Sequence, residues 1–595
     1  MLKNKLESIL IEFLRESGFL TADIQSDLLK LEIPPNLEWG DLSLPCFGLA
    51  KIKKKSPVEV AEEVAVLLRS EKAQKDGLSD KVIEVKAMGP YVNLKLKSKF
   101  SFGEIYNDVF AKKTVAGATL AGKKREQVML EYLSPNTNKP LHLGHLRNGV
   151  LGMSLANILE ARGEDVLKTT LINDRGVHIC KSMLAWKKFG NGDTPISTGV
   201  KGDHFVGDYY VKFAQEAEVN PELGEEAQLM LKKWEEGDEK VRKIWQRMND
   251  WVWDGFKKTF KVFGFKFDVI YKESETYRLG KDIVLEGLRK GIFQKDAKGA
   301  VIFVLPREFG LDENGQRKRV TLLRADGTSV YLTQDLGTAV KRMNDFVLDK
   351  MIYVVASEQN YHFKVLFAVL KALGYTWANK LFHLSYEMVY LPEGKMKSRE
   401  GKVVDADDLL EEVKNLAKKG LLERHSEKKL SEKEAEKRSL KIALAAIKFY
   451  LLRVNPSQTI NFNPEESLSF EGFTGPYCQY AYARGSKLLR DGGVDLKEKL
   501  ETDFSQLGSR SERALLMLIA RREEKIKMAE EDFNPAVLAN YAFELAKAFN
   551  HFYHQESILK AETGLKKARL ALVQTFLLTL EEVLSLLGIE VLAEM

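Results

Sequence analysis

The stretch from residue 127 to residue 163 constrains the fold of this chain more than any other. QVMLEYL (127–133) is apolar and aromatic enough for a buried strand, and the apolar residues of LRNGVLGMSLANILEARG (146–163) recur near helical spacing. SPNTNKPLHLGH (134–145) connects the two. A strand leading through such a turn into a helix is typical of an open α/β sheet, whose ligands bind at the carboxyl edge of the strands. Because the first N–H groups of the helix are unpaired, a phosphate is the expected ligand there.

The totals exclude several classes of protein. At 595 residues the chain is too long to fold around one hydrophobic core, so two to four domains are expected. It contains 44% apolar and 30% charged residues, which favours a folded protein over a disordered one. The net charge of +6 is too small for a protein that coats nucleic acid non-specifically, so such a partner would have to meet local basic patches. One is AKIKKKSP (50–57); the other lies on the C-terminal helices and consists of Arg484, Lys487, Arg490, Arg510, Arg513, Arg521 and Arg522. Both also fit ordinary solvated helix faces.

The expected cellular location rests on membrane spans, secretion signals and cysteine pairs. No apolar run reaches the length of a membrane span, and acidic residues interrupt the amphipathic start, so neither a membrane contact nor a secretion signal is expected. Cys46, Cys180 and Cys478 are far apart and form no CxxC pair, which predicts neither a disulfide framework nor a zinc site. The reducing cytoplasm is the expected location.

The order of patterns predicts a multidomain α/β protein. Residues 1–112 read as a small α+β domain that ends in VIEVKAMGPYVNLKLK (82–97), two strands around a Gly-Pro turn. In residues 113–410, β-rich runs such as MIYVVAS (351–357) alternate with helices such as HFKVLFAVLKALG (362–374), which indicates a Rossmann-like, doubly wound parallel sheet. A helical insertion is expected at about 201–300, a connecting helical region at 411–470 and an all-α bundle at 471–595.

Two short motifs carry the chemistry. His142 and His145 stand three apart at a predicted helix start, with Gly144 between them allowing close approach of a ligand. Alone, this pattern also fits a capped helix end or an incomplete metal site. About 250 residues later, LPEGKMKSREGKVV (391–404) is a Gly-bracketed loop with four cations. A cationic loop suits a pyrophosphate leaving group, because such transfers need positioned positive charge; alone, it would read as a surface turn.

Together these motifs resemble the signatures of class I aminoacyl-tRNA synthetases. HLGH (142–145) is similar to HIGH, and KMKSR (395–399) to KMSKS. Further stretches resemble the arginyl-tRNA synthetases in particular, and the similarity runs from end to end. They are LEWGDLSLPCF (37–47), EYLSPNTNKPLHLGHLRN (131–148), NDRG (173–176), LLRADGTSVYLTQDLGTA (322–339), EGFTGPYCQYAYAR (471–484) and LLGIEVLAEM (586–595).

The resemblance implies a reaction and its partners. The carboxylate of L-arginine would attack the α-phosphate of ATP, and the arginyl group would then move to the terminal adenosine of tRNA(Arg), at its 2′-hydroxyl first. Mg²⁺ is expected with the ATP, although no dedicated carboxylate cage is visible in the sequence, and a monomer is expected. The resemblance implies ATP contacts by His142, Gly144, His145, Lys395, Met396 and Ser398.

The substrate arginine requires carboxylates, because they accept the paired N–H donors of a guanidinium with charge assistance. Tyr331 and Asp335 match the guanidinium-binding residues of the family and would share one helix face. Glu273 resembles the second carboxylate, with Glu275 as the alternative. Family positions that hold the rest of the amino acid or adenylate are matched by Glu131, Asn136 and Gln359. Without the shared motifs, each would read as structural: a helix cap, a strand residue or a surface polar group.

One departure concerns the catalytic cation. Where KMSKS has its second lysine, this chain has Ser398. The resemblance places a replacement lysine just before HIGH, at Lys139, with Lys395 and Arg399 in supporting catalytic roles beside His142 and His145. Lys397 as a direct replacement is the competing hypothesis.

Aromatic and basic residues of the C-terminal helices suit unpaired RNA bases, which stack on aromatic rings beside cations. They are Tyr477, Tyr480, Tyr482, Arg484 and Phe549. In the family this bundle binds the anticodon stem and loop, although about half of such tyrosines are expected in the bundle core. The N-terminal domain resembles the part that grips the tRNA D-loop, where Asn93 is the expected contact or a polar residue on the solvent face of a strand.

Two other functions remain open from the sequence. A nucleotidylyltransferase with an HxGH motif would have no use for a large helical bundle. A non-catalytic tRNA-binding paralogue would be expected to have lost the histidines or the lysine loop, and both are present.

Overall fold

The computed structural model describes residues 2–21, 29–113, 124–391, 404–424 and 430–595. These residues form an N-terminal α+β part, a central parallel sheet with helices, and a C-terminal helical bundle. The predicted multidomain α/β fold is confirmed. No helix in the described part of the chain combines the length and apolar character needed to cross a bilayer.

The N-terminal part holds a three-stranded antiparallel sheet in the order β1-β3-β2. Its elements are α1 (Leu2–Glu16), β1 (Leu42–Pro45), α2 (Phe47–Lys53), α3 (Pro57–Leu68), α4 (Glu71–Lys75), β2 (Val82–Met88), β3 (Tyr91–Leu96) and α5 (Ser98–Lys113). The predicted strand pair around the Gly-Pro turn is the hairpin β2–β3. Leu6, Leu10 and Leu14 of α1 are buried, as the amphipathic pattern predicts.

The central part is built on a five-stranded sheet in the order β11-β10-β4-β5-β6, and all its neighbouring strands are parallel. Its elements are β4 (Gln127–Glu131), α6 (Leu143–Ala161), β5 (Asp165–Ile172), α7 (Val177–Phe189), α8 (Pro195–Thr198), α9 (Gly202–Val219), α10 (Glu222–Glu236), α11 (Glu239–Phe263), β6 (Val269–Lys272), α12 (Glu273–Thr276), α13 (Leu279–Arg289), β7 (Gln294–Lys295), β8 (Val301–Val304), β9 (Arg319–Leu323), α14 (Tyr331–Asp345), β10 (Lys350–Ala356), α15 (Asn360–Ala372), β11 (Leu381–Tyr386) and β12 (Val389–Tyr390). The chain leaves β4 toward β5 on one side and later returns to β10 on the other. Ligands bind such a sheet where the order reverses, between the carboxyl ends of β4 and β10.

The helical insertion is shorter than the predicted range 201–300. Helices α9 to α11 end at Phe263, and the chain then returns to the central sheet as β6. Beyond β6, the strands β7, β8 and β9 form a separate antiparallel sheet before α14. Periodicity did not reveal this because β6 is only four residues long and follows the 25-residue helix α11.

The C-terminal part is helical. Its elements are α16 (Ala406–Arg424), α17 (Glu432–Leu452), β13 (Ile460–Asn461), α18 (Pro464–Ser467), α19 (Gly475–Asp491), α20 (Arg510–Ala520), α21 (Arg522–Glu531), α22 (Ala536–Gln555) and α23 (Thr563–Leu586). Phe549 is fully buried and stacks on Phe576, with ring centroids 4.0 Å apart. Tyr482 is also buried. These two aromatic residues therefore pack in the bundle core.

Ion pairs join the outer domains. Arg513 binds Asp41 at 2.9 Å, and Arg522 binds Asp108 at 3.2 Å, both between the C-terminal bundle and the N-terminal part. These arginines of the predicted basic patch therefore hold domains together.

Candidate active site

The candidate site lies at the carboxyl edge of the central sheet. Glu131 is the last residue of β4, and the loop after it leads into α6. Beside it, β10 ends at Ala356 and is followed by a short 3-10 turn that ends at the exposed Gln359. Asn136 is also exposed, in the loop after β4, and forms a bridge with Asn173 after β5. The fold thus brings Glu131, Asn136 and Gln359 to one edge.

The two histidines of the HxGH segment contact each other at the start of α6. The backbone N–H of His142 donates to Nδ1 of His145 at 3.1 Å, and the ring centroids are 3.7 Å apart. A Cβ on Gly144 would lie only 3.0 Å from the His142 ring, so a larger residue would have to displace that ring.

Both imidazoles are neutral at pH 7. Burial, with help from Lys139, lowers the pKa of His142 to about 4. Burial lowers the pKa of His145 well below its usual range, with further contributions from His142 and Lys139. Because Nδ1 of His145 accepts the hydrogen bond, its proton is on Nε2. His145 can therefore donate a hydrogen bond from Nε2 while its ring stays uncharged.

Lys139 supplies the positive charge next to these rings. It is half-buried, and burial lowers the pKa of its ammonium group. Among the residues that the structure describes, none forms an ion pair with it. An unpaired, partly desolvated ammonium beside the N–H donor of His145 is suited to a polyphosphate.

The chain that follows the second motif returns to this segment. The N–H of Leu143 donates to the carbonyl of Val404 at 3.0 Å, and the N–H of Ala406 donates to Leu141 at 2.9 Å. Lys395, Met396, Lys397, Ser398 and Arg399 lie outside the described residues. The sequence prediction for them stays a prediction.

A second group of side chains surrounds α14, which begins at Tyr331 as a helix rather than a strand. Tyr331 is 76% exposed. Asp335 binds Nε2 of His362 at 2.5 Å. Glu273 faces the same helix: Gln334 fits with its Nε2 donating to Glu273 Oε1 at 3.0 Å. Two carboxylates from different elements thus meet beside one helix.

Glu273 and Glu275 differ in their surroundings. The side chain of Glu273 is 13% exposed, whereas that of Glu275 is 66% exposed and lies 3.9 Å from Lys272. Burial raises the pKa of Glu273 to about 7; Arg175 opposes this rise, and the negative charges of Asp174 and Asp335 add to it. Burial and the two neighbouring carboxylates therefore outweigh the cationic Arg175, which lies 3.7 Å from Glu273.

Glu131 is buried and already engaged. Its carboxylate forms an ion pair with Arg342, and its Oε1 accepts from the Ser134 hydroxyl at 3.1 Å. Arg342 is fully buried beneath the ring of Tyr271, at 4.9 Å. The carboxylate of Glu131 at the end of β4 is thus fixed by a partner that the sequence did not identify, and its expected contact with the substrate stays a prediction.

Sequence reasoning missed Asp174, Arg175 and His362. Asp174 accepts hydrogen bonds from the backbone N–H and hydroxyl of Ser274, at 2.8 and 2.7 Å, and so fixes the start of α12. Arg175 lies 3.7 Å from Glu273. The only available signal for the first two was their place in NDRG, because their contacts are about 100 residues away in sequence.

The predicted tRNA contacts fall on two surfaces. Asn93 is only 4% exposed and lies in the central strand β3. It therefore does not lie on the solvent face of the strand, and its side chain is not open to a tRNA. Its strand neighbour Tyr91 is 37% exposed and contacts Phe47, which is 47% exposed. These rings are candidates that the sequence did not single out.

On the bundle, Tyr477 and Tyr480 are half-buried on α19. The guanidinium of Arg484 stacks between the rings of Tyr480 and Tyr553, at 4.7 Å from each, and donates to Asn550 Oδ1 at 2.6 Å. The result is an ordered aromatic and cationic surface.

One cluster in the described part of the chain has metal-ligand spacing: Asp203, His204 and Asp407. Nζ of Lys201 binds Asp203 at 3.0 Å and Asp407 at 2.6 Å. Because an ammonium already neutralises these carboxylates, the cluster is a poor fit for a metal ion. The three cysteines are buried and free.

A doubly wound parallel sheet with an HxGH segment at its switch point, followed by a large helical bundle, is the arrangement of a class I aminoacyl-tRNA synthetase rather than of an HxGH nucleotidylyltransferase, and the family models agree. The family model described as "tRNA synthetases class I (R), catalytic domain" matches residues 107–463. "Arginyl tRNA synthetase N terminal domain" matches residues 1–96, and "DALR anticodon binding domain" matches residues 478–595. The chain therefore belongs to the arginyl-tRNA synthetase family.

Individual relatives agree with this placement. The arginine–tRNA ligase of Bacteroides thetaiotaomicron is 44% identical, covering 93% of this chain and 94% of that protein. The one from Treponema denticola is 44% identical and covers 98% of each. The arginyl-tRNA synthetase of Thermus thermophilus superposes with a TM-score of 0.78 at 28% identity over the full length of both chains.

Proposed function

We propose that this chain is an arginine–tRNA ligase, which activates L-arginine with ATP and transfers it to the 3′-terminal adenosine of tRNA(Arg). The observation that carries the proposal is the meeting of two subsites at one sheet edge: neutral imidazoles with Lys139, and the carboxylates Glu273 and Asp335. The first suits a triphosphate and the second a guanidinium. Membership of the arginyl-tRNA synthetase family supports the same reaction.

On the nucleotide side, the chain's own groups meet the charge that develops as pyrophosphate leaves. His145 donates from Nε2, and Gly144 lets the nucleotide approach the backbone. Lys139 stabilises the transition state, and His142 completes the pocket wall. Lys395, Met396, Ser398 and Arg399 are proposed on the opposite side of the phosphates, on the strength of the sequence motif alone.

On the amino-acid side, Glu273 and Asp335 bind the guanidinium, and Tyr331 covers it. The burial of Glu273 beside α14 supports it over the exposed Glu275. Glu131, held by Arg342, is proposed to bind the ammonium group with Asn136 and Gln359. The arginine carboxylate then faces the α-phosphate, and its oxygen attacks as the bond to pyrophosphate breaks.

Three further points complete the proposal. Mg²⁺ enters with ATP, bound by phosphates and water; the described residues around HxGH do not form a cage for it, and no step is assigned to it. The protein works in the cytoplasm, where three buried cysteines persist as thiols. It acts as a monomer, which sedimentation at a mass of 67.5 kDa would verify.

The aromatic surface of α19 supports a contact with the anticodon loop. We expect Arg484→Ala to raise the KM for tRNA about tenfold, because loss of a stacking platform costs roughly 1–3 kcal/mol per base. The KM for arginine should stay unchanged. The measurement is aminoacylation at varied tRNA, with Arg490→Ala, which lies on the same helix and pairs with Glu594, as the control. An unchanged tRNA KM in Arg484→Ala would remove this surface from the interface.

Arginine binding should depend on pH through Glu273. Its pKa of about 7 in the free protein falls when a guanidinium binds, because the cation favours the ionised form. Affinity is therefore full above pH 7 and is lost as the pH falls through 7. We expect the Kd for arginine to rise about tenfold from about pH 8 to about pH 6. Titration calorimetry tests this, and Glu273→Gln should abolish the dependence.

The activity itself is tested by exchange of labelled pyrophosphate into ATP, with each proteinogenic amino acid supplied separately, with and without total tRNA. Exchange with arginine alone supports the ligase. If it appears only with tRNA, activation also requires the bound tRNA. No exchange with any amino acid would reject the proposal in favour of a non-catalytic paralogue.

A further inference from the structure

Arg175 is enclosed by an aromatic ring and two carboxylates next to the proposed guanidinium subsite. It lies in the loop between β5 and α7, with its side chain 9% exposed. Its guanidinium stacks on Tyr277 at 4.1 Å and forms an ion pair with Glu235. On the other side, its Nη1 lies 3.7 Å from Glu273 Oε1. A charge enclosed in this way has a fixed orientation, so its effect on Glu273 is fixed as well.

Gln334 links Arg175 and Glu273. In the amide orientation that satisfies both neighbours, Nε2 of Gln334 donates to Glu273 Oε1 at 3.0 Å. Its Oε1 then accepts from Arg175 Nη1 at 3.2 Å. All of these contacts engage Oε1, which leaves Oε2 of Glu273 for a ligand.

The surroundings of Glu273 oppose its ionisation except at Arg175. The charged or titratable groups that face it from the packed elements are Asp174 after β5, Lys272 at the end of β6, Asp335 on α14 with its partner His362 on α15, and Arg175 with its partner Glu235 on α10. Lys272 points toward Glu275, at 3.9 Å. Two carboxylates and burial thus favour the protonated acid, and Arg175 is the cation in direct reach among the described residues.

We propose that Arg175 is a positioning residue for arginine recognition: its guanidinium holds the Glu273 carboxylate ionised and oriented, so that Oε2 can accept the substrate's guanidinium. Glu235 offsets the charge of Arg175 on its outer side, which limits repulsion of the incoming cation. This inference rests on the proposed function of Glu273.

The test measures arginine binding to the full-length protein by calorimetry from about pH 6 to about pH 9, in two buffers so that released protons are counted. In Arg175→Gln, the inflection of the curve of arginine Kd against pH should move upward by about one pH unit. The Kd at about pH 7 then rises roughly fivefold, while variant and wild type converge near pH 9. Arg175→Lys, which keeps the charge, should lie between them and also serves if Arg175→Gln does not fold.

Arg278→Gln is the matched control. Arg278 also contacts the Tyr277 ring, at 5.2 Å, and donates to the carbonyl of Glu235, yet none of its contacts is with Glu273. Its inflection should equal that of the wild type. An unmoved inflection in Arg175→Gln, or a Kd raised by one factor at every pH, overturns the inference and leaves the proposed function intact. Wild-type protein that binds no arginine either alone or with total tRNA rejects both.

Discussion

Replacing Lys139 with alanine should lower the single-turnover rate of arginyl-adenylate formation by about 10²–10³-fold, the loss seen when one preorganised transition-state contact is removed. The half-buried ammonium lies beside His142 and His145 and pairs with no described acid, so its charge is available to the phosphates. The Kd values for ATP and arginine should change little, because the contact strengthens as charge develops on the leaving group. Rapid-quench measurement with ATP, arginine and tRNA separates the rate from binding.

Two further variants serve as the control and as the test of the competing hypothesis. Lys364→Ala, on the exposed side of α15, removes a lysine elsewhere and should leave the rate unchanged. Lys397→Ala tests the competing hypothesis. A normal rate in Lys139→Ala together with a collapsed rate in Lys397→Ala would transfer the catalytic role to the second motif.

Replacing Asp335 with alanine should raise the KM for arginine by about 30-fold or more, because bound arginine would bury the charge pair it forms with this carboxylate, and truncating one member of a buried charge pair costs roughly 2–5 kcal/mol. The carboxylate is held by His362 at 2.5 Å and so has a fixed direction. Asp335→Asn keeps the shape but loses the charge, and it should be nearly as impaired. Pyrophosphate exchange at varied arginine gives the KM.

Glu275→Ala is the matched control, because it removes an exposed carboxylate within the same short segment as Glu273. Its arginine KM should match that of the wild type. If Asp335→Ala binds arginine normally, the guanidinium subsite lies elsewhere. If Glu275→Ala is impaired and Glu273→Ala is not, the second carboxylate was assigned to the wrong residue.

Local patterns were sufficient wherever neighbours in sequence decide the structure. The period of apolar residues predicted β4, α6, β10 and α15 because each buries one continuous set of side chains. HxGH could be interpreted as a candidate site because His142, Gly144 and His145 lie within one helical turn. The short strand β6 within the predicted insertion was missed, since four residues show no usable period.

By itself, therefore, the sequence determined the parallel-sheet architecture, the helical bundle, the HxGH turn and the family. Only the tertiary structure decided which charged residues face each other. Arg342 reaches Glu131 across 211 positions of the chain, and Ser274 reaches Asp174 across 100. It also separated Glu273 from Glu275, two residues apart in sequence, by burying one and exposing the other. The physical reason is that burial and the charges nearby control ionisation, and both depend on distances in the folded chain that residue order does not encode.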